Sequence, residues 1–89
     1  MKLKKDYVLQ QIVGNWVVVP LGKEALNLGG LITLNETGVT LWNALEAGGD
    51  VSGLARALTA EYDVSMEQAE KDAAAFVQKL REVGCLEED

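Results

Sequence analysis

Eighty-nine residues, 48% apolar and 25% charged, suit one globular domain, since a second core does not fit this length and the balance is not that of a disordered chain. With one cysteine and no histidine, an internal disulfide, the common zinc ligand sets and a histidine-activated nucleophile are excluded, and a formal charge of −6 argues against nucleic acid. Met1-Lys2-Leu3-Lys4-Lys5 lacks the apolar stretch of a signal peptide, and the longest apolar run, Trp16 to Leu21, contains Pro20 and is too short to cross a bilayer, so a cytoplasmic domain without a membrane partner is expected.

Tyr7 to Val13 and Trp16 to Leu21 are two β-prone runs separated by Gly14-Asn15, which predicts an antiparallel hairpin turning on that pair. Pro20 lacks an amide donor and belongs at an edge or at the end of its strand. Gly22-Lys23 supplies the next turn. From Ala25 to Leu34 the pattern fits a third strand bent at Gly29-Gly30, which is either a simple bend or a bulge where another backbone approaches closely.

Asn35 precedes an apolar pattern at Val39, Trp42 and Leu45, so it caps a first helix running from about Glu36 to Ala47 and stopping at Gly48-Gly49. Asp50 caps a second helix carrying Leu54, Ala57, Leu58 and Tyr62. Ser65 with Gln68 forms a capping box for a third, whose stripe is Ala69, Ala73, Phe76, Leu80 and Val83, with Gly84 ending it and Cys85-Leu86 folding back on the core. The expected fold is α+β: a three-stranded antiparallel sheet followed by a three-helix bundle, winged helix-turn-helix-like in outline, with residues 1–89 forming a single domain. Met1 to Asp6 and Glu87 to Asp89 read as disordered tails.

Chemistry is scarce along this chain. Ser52 and Ser65 lie near helix starts, Cys85 next to Leu86 reads as a small hydrophobe, and Glu67, Glu70 and Asp72 alternate with Lys71 and Lys79 as on a solvated helix face. Gly22-Lys23 lacks the remainder of a phosphate-binding loop. Neither catalysis nor a cofactor is expected. Lys71, Lys79 and Arg81 are interleaved with acids, which disfavours DNA despite the helix-turn-helix outline. Protein or peptide recognition is left, with the third strand and a neighbouring helix offering main-chain groups and a groove to an added strand.

The succession Leu34-Asn35-Glu36-Thr37-Gly38 with Trp42 and Leu45, then Gly48-Gly49-Asp50-Val51, Leu58-Thr59-Ala60-Glu61-Tyr62-Asp63-Val64, Asp72, Phe76, Leu80 and Gly84-Cys85-Leu86 resembles PqqD and its relatives over Tyr7 to Leu86. These are the precursor-peptide recognition domains of ribosomally made, post-translationally modified peptide pathways. The resemblance implies a non-catalytic adaptor that captures a leader peptide as an extra strand between the third strand and third helix. The leader is then presented to a modifying enzyme of the radical S-adenosylmethionine or another class.

On the same resemblance, the peptide-binding residues fall on Gly30, Leu31, Ile32, Thr33 and Leu34 of the strand and on Asp72, Ala75, Phe76 and Lys79 of the helix. Ala73 and Val77 form the opposite flank of the stripe. The segment Gly-Gly-Leu-Ile-Thr before Leu34 departs from the proteins of pyrroloquinoline quinone synthesis, which points to another peptide pathway. The alternative function is a winged-helix protein-interaction or transcription-related module without a leader ligand.

Overall fold

The computed structural model describes residues 2–21 and 32–87. Strands β1 (Lys2–Leu3), β2 (Tyr7–Ile12), β3 (Asn15–Pro20) and β4 (Ile32–Leu34) are followed by helices α1 (Glu36–Glu46), α2 (Val51–Glu61) and α3 (Met66–Glu82), and then by β5 (Leu86–Glu87). The strand order β2-β3-β4 is an antiparallel sheet, so the fold is the expected three strands followed by three helices, an outline compatible with a winged helix-turn-helix. The expected third strand is described over Ile32–Leu34; its Ala25 to Leu31 portion, with Gly29-Gly30, and the Gly22-Lys23 turn lie outside the described residues.

The tails depart from expectation. Lys2 pairs with Glu87 and Leu3 with Leu86 in a second, two-stranded antiparallel sheet, and the Lys4 amide donates to the Cys85 carbonyl at 2.9 Å. Cys85 and Leu86 are buried in the core, which presents their backbone to the start of the chain, and half-buried Leu3 packs against the same cluster. Apolar anchoring at both ends offsets the entropy that would otherwise fray them.

The hairpin also turns one residue earlier than the Gly14-Asn15 reading. Ile12 pairs with Asn15, leaving Val13 and Gly14 as the two-residue loop with φ of +48° and +81°. Positive φ at both positions is the type I′ requirement, which matches the twist of the flanking strands. A β-branched residue at the first position opposes local preference, and Val13 is 95% exposed there.

Each helix begins on a side chain that accepts from an amide of the first turn: Asn35 Oδ1 from Gly38, Asp50 Oδ1 from Gly53, Ser65 Oγ from Gln68. The expected capping box is half made, because the Gln68 side chain donates forward to Asp72 Oδ1 at 2.9 Å. Gly48 and Gly84, at φ of +93° and +81°, follow α1 and α3 where the chain must leave the helical path. On α2 the buried positions are Leu54, Ala55 and Leu58, with Ala57 and Tyr62 half-buried.

On α3 the buried line is Ala69, Ala73, Val77 and Leu80. The stripe therefore turns about one position away from the expected centre, and Phe76 is left half-buried at its margin. The reason is packing. Small Ala69 and Ala73 admit close approach of α2, whose Ala55 is likewise fully buried, and the stripe continues along the i, i+4 row to Val77.

Alternation along the strands sends Tyr7, Leu9, Val18, Ile32 and Leu34 toward the helices, where they meet Leu41, Trp42, Leu45, Leu58 and Leu80. Trp42 is fully enclosed, and its indole N–H donates to Glu46 Oε1 at 2.6 Å, one helical turn on. Burial of the ring without a partner for that N–H would carry a desolvation cost.

Candidate functional site

Among the described residues no strand pairs with the outer edge of β4, the feature of the sheet that bears on function, and the register settles which of its main-chain groups face outward. Antiparallel pairs alternate between residues that exchange both hydrogen bonds and residues that exchange none. The Leu21 amide donates to the Asp6 carbonyl at 2.6 Å, so the next pair, Tyr7 with Pro20, is a non-bonded one, and Pro20 loses nothing to β2 by lacking a donor. Carried along the ladder, this parity turns the amides and carbonyls of Trp16 and Val18 toward β4, where they bond Leu34 and Ile32. Thr33, opposite Val17, then points its N–H and C=O away from the sheet.

Between this edge and α3 lies an open cleft of about 450 Å³. Ile32, Thr33 and Leu34 form one wall, with Phe76, Lys79 and Leu80 of α3 opposite. Asn15, Asn35 and Gly38 close the end where β3 starts and α1 begins. Ile32, Leu34 and Leu80 are core residues whose margins show in the cleft, Phe76 is half-buried, and Thr33 and Lys79 are exposed. A Cβ on Gly38 would stand 3.2 Å from both Leu34 Cβ and Asn35 Oδ1, so glycine permits the close packing of β4 on the start of α1.

Of the expected site residues, the structure brings Ile32, Thr33, Leu34, Phe76 and Lys79 to one cleft. Asp72 and Ala75 are exposed on α3 and are not among the lining residues; Asp72 accepts from Gln68. Gly30 and Leu31 lie outside the described residues. Ala73 and Val77, on the opposite flank, are core. Sequence reasoning missed Asn15, Asn35, Gly38 and Leu80. A glycine inside the first turn of a helix was the available signal for Gly38, whereas nothing local marks Asn15.

The cleft combines an apolar floor with one open main-chain donor and acceptor and, among the described residues lining it, a single charged group, Lys79. Among the described residues no three His, Cys, Asp or Glu side chains converge as a metal site, and no helix is long and apolar enough to cross a membrane. An edge strand facing a helix across an apolar cleft is the kind of surface to which an extended chain can add as a further strand.

A small α+β domain whose edge strand, unpaired on its outer side among the described residues, is set against the last helix is the class this geometry defines. The chain belongs to the PqqD family: the family model described as coenzyme PQQ synthesis protein D matches residues 15–86. Two solved structures are similar to it. One, TbiB1 in complex with the TbiA(beta) leader peptide, is 27% identical, with a TM-score of 0.79 covering 100% of this chain and 98% of that one. The other, a lasso peptide synthetase B1 complexed with the leader peptide, is 30% identical, with a TM-score of 0.72 covering 91% of this chain and 89% of that one. No curated protein matches the chain.

Proposed function

We propose that this chain is a non-catalytic adaptor that binds the leader of a ribosomally made precursor peptide by strand addition to β4, with α3 as the facing wall, and presents it to a modifying enzyme. The observation that carries the reading is the coincidence of two facts. The outward N–H and C=O of Thr33 border a cleft suited to an extended chain, and two similar chains are each described in complex with a leader peptide. The donor and acceptor supply register-specific affinity, and the half-buried ring of Phe76 offers apolar contact to the added strand.

The similarity to a lasso peptide synthetase component supports a lasso-type pathway over pyrroloquinoline quinone synthesis, in keeping with the Gly-Gly-Leu-Ile-Thr segment. The enzyme partner is then another component of such a synthetase, with a radical S-adenosylmethionine enzyme as the alternative. A cytoplasmic site of action accords with capture of a newly made peptide. The chain itself performs no bond-making step in this reading, since it lacks histidine, Ser65 is engaged as the cap of α3 and Ser52 accepts from the Arg56 guanidinium.

The test is titration of fluorescently labelled leaders from precursor peptides encoded beside this chain, followed by amide exchange of the complex. Binding with protection of β4 and α3 is expected. Protection confined to the Val13-Gly14 hairpin tip or to α2 places the site elsewhere and refutes the groove. A mixture of full precursor with this chain alone should leave the precursor's mass unchanged.

A further inference from the structure

The ladder parity that turns Thr33 outward also dictates which leader side chains enter the cleft. In an antiparallel pair, residues directly opposite one another point to the same face. Thr33 shares the face of Val17, away from α3, so the leader residue bonded to Thr33 points that way too. Its two neighbours, opposite Ile32 and Leu34, point into the cleft. Two inward side chains separated by one outward residue stand roughly 7 Å apart.

The opposite wall offers two contacts at a commensurate spacing. Phe76 and Lys79 are three residues apart on α3, which puts their Cβ atoms about 5–6 Å apart on one helix face. Phe76 presents a half-buried ring. Lys79 presents an ammonium that makes no ion pair among the described residues, where the salt bridge on α3 is Lys71 with Glu67. Glu82, one turn beyond Lys79, accepts instead from Gln78 at 3.4 Å. The remaining described lining residues carry no charge.

From this we infer that the cleft selects a leader bearing an apolar residue and an Asp or Glu two positions apart, the apolar side chain against Phe76 and the carboxylate on Lys79. The inference rests on the strand-addition reading and adds a specificity determinant to it. Local charge decides the preference even though the chain as a whole is acidic. At physiological salt the field of distant carboxylates is screened beyond about 8 Å, while a carboxylate in the cleft meets Lys79 directly.

A displayed library of random 12-residue peptides, selected against the full chain and in parallel against Lys79→Glu, tests this. Lys79 is exposed, so the variant should retain the parent's circular dichroism. The parent is expected to enrich sequences with an apolar residue and an acid at i and i+2 in either order, and Lys79→Glu to move that acidic position to Lys or Arg. For one enriched peptide, replacing the acid with Lys should weaken binding to the parent by about tenfold or more, and Lys79→Glu should restore it. Enrichment of β-prone peptides without an acidic position, or with one that Lys79→Glu leaves unchanged, overturns the charge selection and leaves strand addition standing. Failure of either protein to enrich any peptide overturns both.

Discussion

Replacing Thr33 with proline separates strand addition from every mode in which the leader uses side chains alone. The parity of the β3–β4 ladder directs the Thr33 amide outward, so proline there removes a donor to the ligand without removing a bond from the sheet. A main-chain bond is worth about 0.5–1.5 kcal/mol net, and removing its donor so that the leader's carbonyl is left unsatisfied in the occupied cleft costs about 1–3 kcal/mol. This predicts a loss of about 1–3 kcal/mol, or roughly 5- to 140-fold in Kd at 1.4 kcal/mol per decade. Fluorescence anisotropy with a labelled leader reads this range. Thr33→Ala keeps the amide and trims a side chain that points away from the cleft, so it should stay within about threefold of the parent. Ile32→Pro is the contrast: it breaks the bond to Val18 and removes a buried side chain, so it should lower the melting temperature. A Thr33→Pro protein with the parent's circular dichroism and melting temperature that still binds within threefold would refute the outward amide and strand addition at β4.

Other outcomes follow from the packing and the turns. Trp42→Ala empties the centre of the core and should cost about 3–5 kcal/mol, so an unchanged thermal melt would remove Trp42 from the core. Val13→Asn relieves a β-branched residue at φ +48° in an exposed loop, and should stabilise by about 1 kcal/mol, raising Tm by about 4–8 °C; a lower Tm would contradict the type I′ assignment. Asp50→Ala deletes the cap on Gly53 and should cost about 1 kcal/mol in urea unfolding. Binding to random duplex DNA at moderate salt should be weaker than the usual ~10⁻⁴ to 10⁻⁶ M non-specific range, because acids interleave with the cations of α3; a micromolar gel shift with steep salt dependence would revive the transcription-related alternative.

Much of the architecture was legible locally. Asn35, Asp50 and Ser65 announced three helix starts, because a cap requires one short polar side chain next to the amides it satisfies. Gly48 and Gly84 announced two of the ends for an equally local reason. The turn at Val13-Gly14 was misread because local preference favours Gly14-Asn15. Moving the turn by one residue shifts the pairing by two, setting Leu9 opposite Pro20 instead of Val18, and leaves the same residues on each face, so alternation does not separate the two turns.

The clasp of Lys2–Leu3 on Leu86–Glu87 joins the two ends of the chain, a pairing that no window of sequence contains. The same holds for the cleft. The rotation of α3 that buries Val77 and leaves Phe76 and Lys79 facing β4 depends on how closely Ala69 and Ala73 approach α2. Asn15 enters the cleft through its place in the sheet. Periodicity identifies a helix face to within one or two positions, and ladder parity exists only once strands are paired. Sequence therefore determined the hairpin, the three helices, their order and the absence of histidine-based chemistry. The outward amide of Thr33 and the isolated charge of Lys79 were decided by tertiary packing, because both are properties of residues brought together from distant parts of the chain.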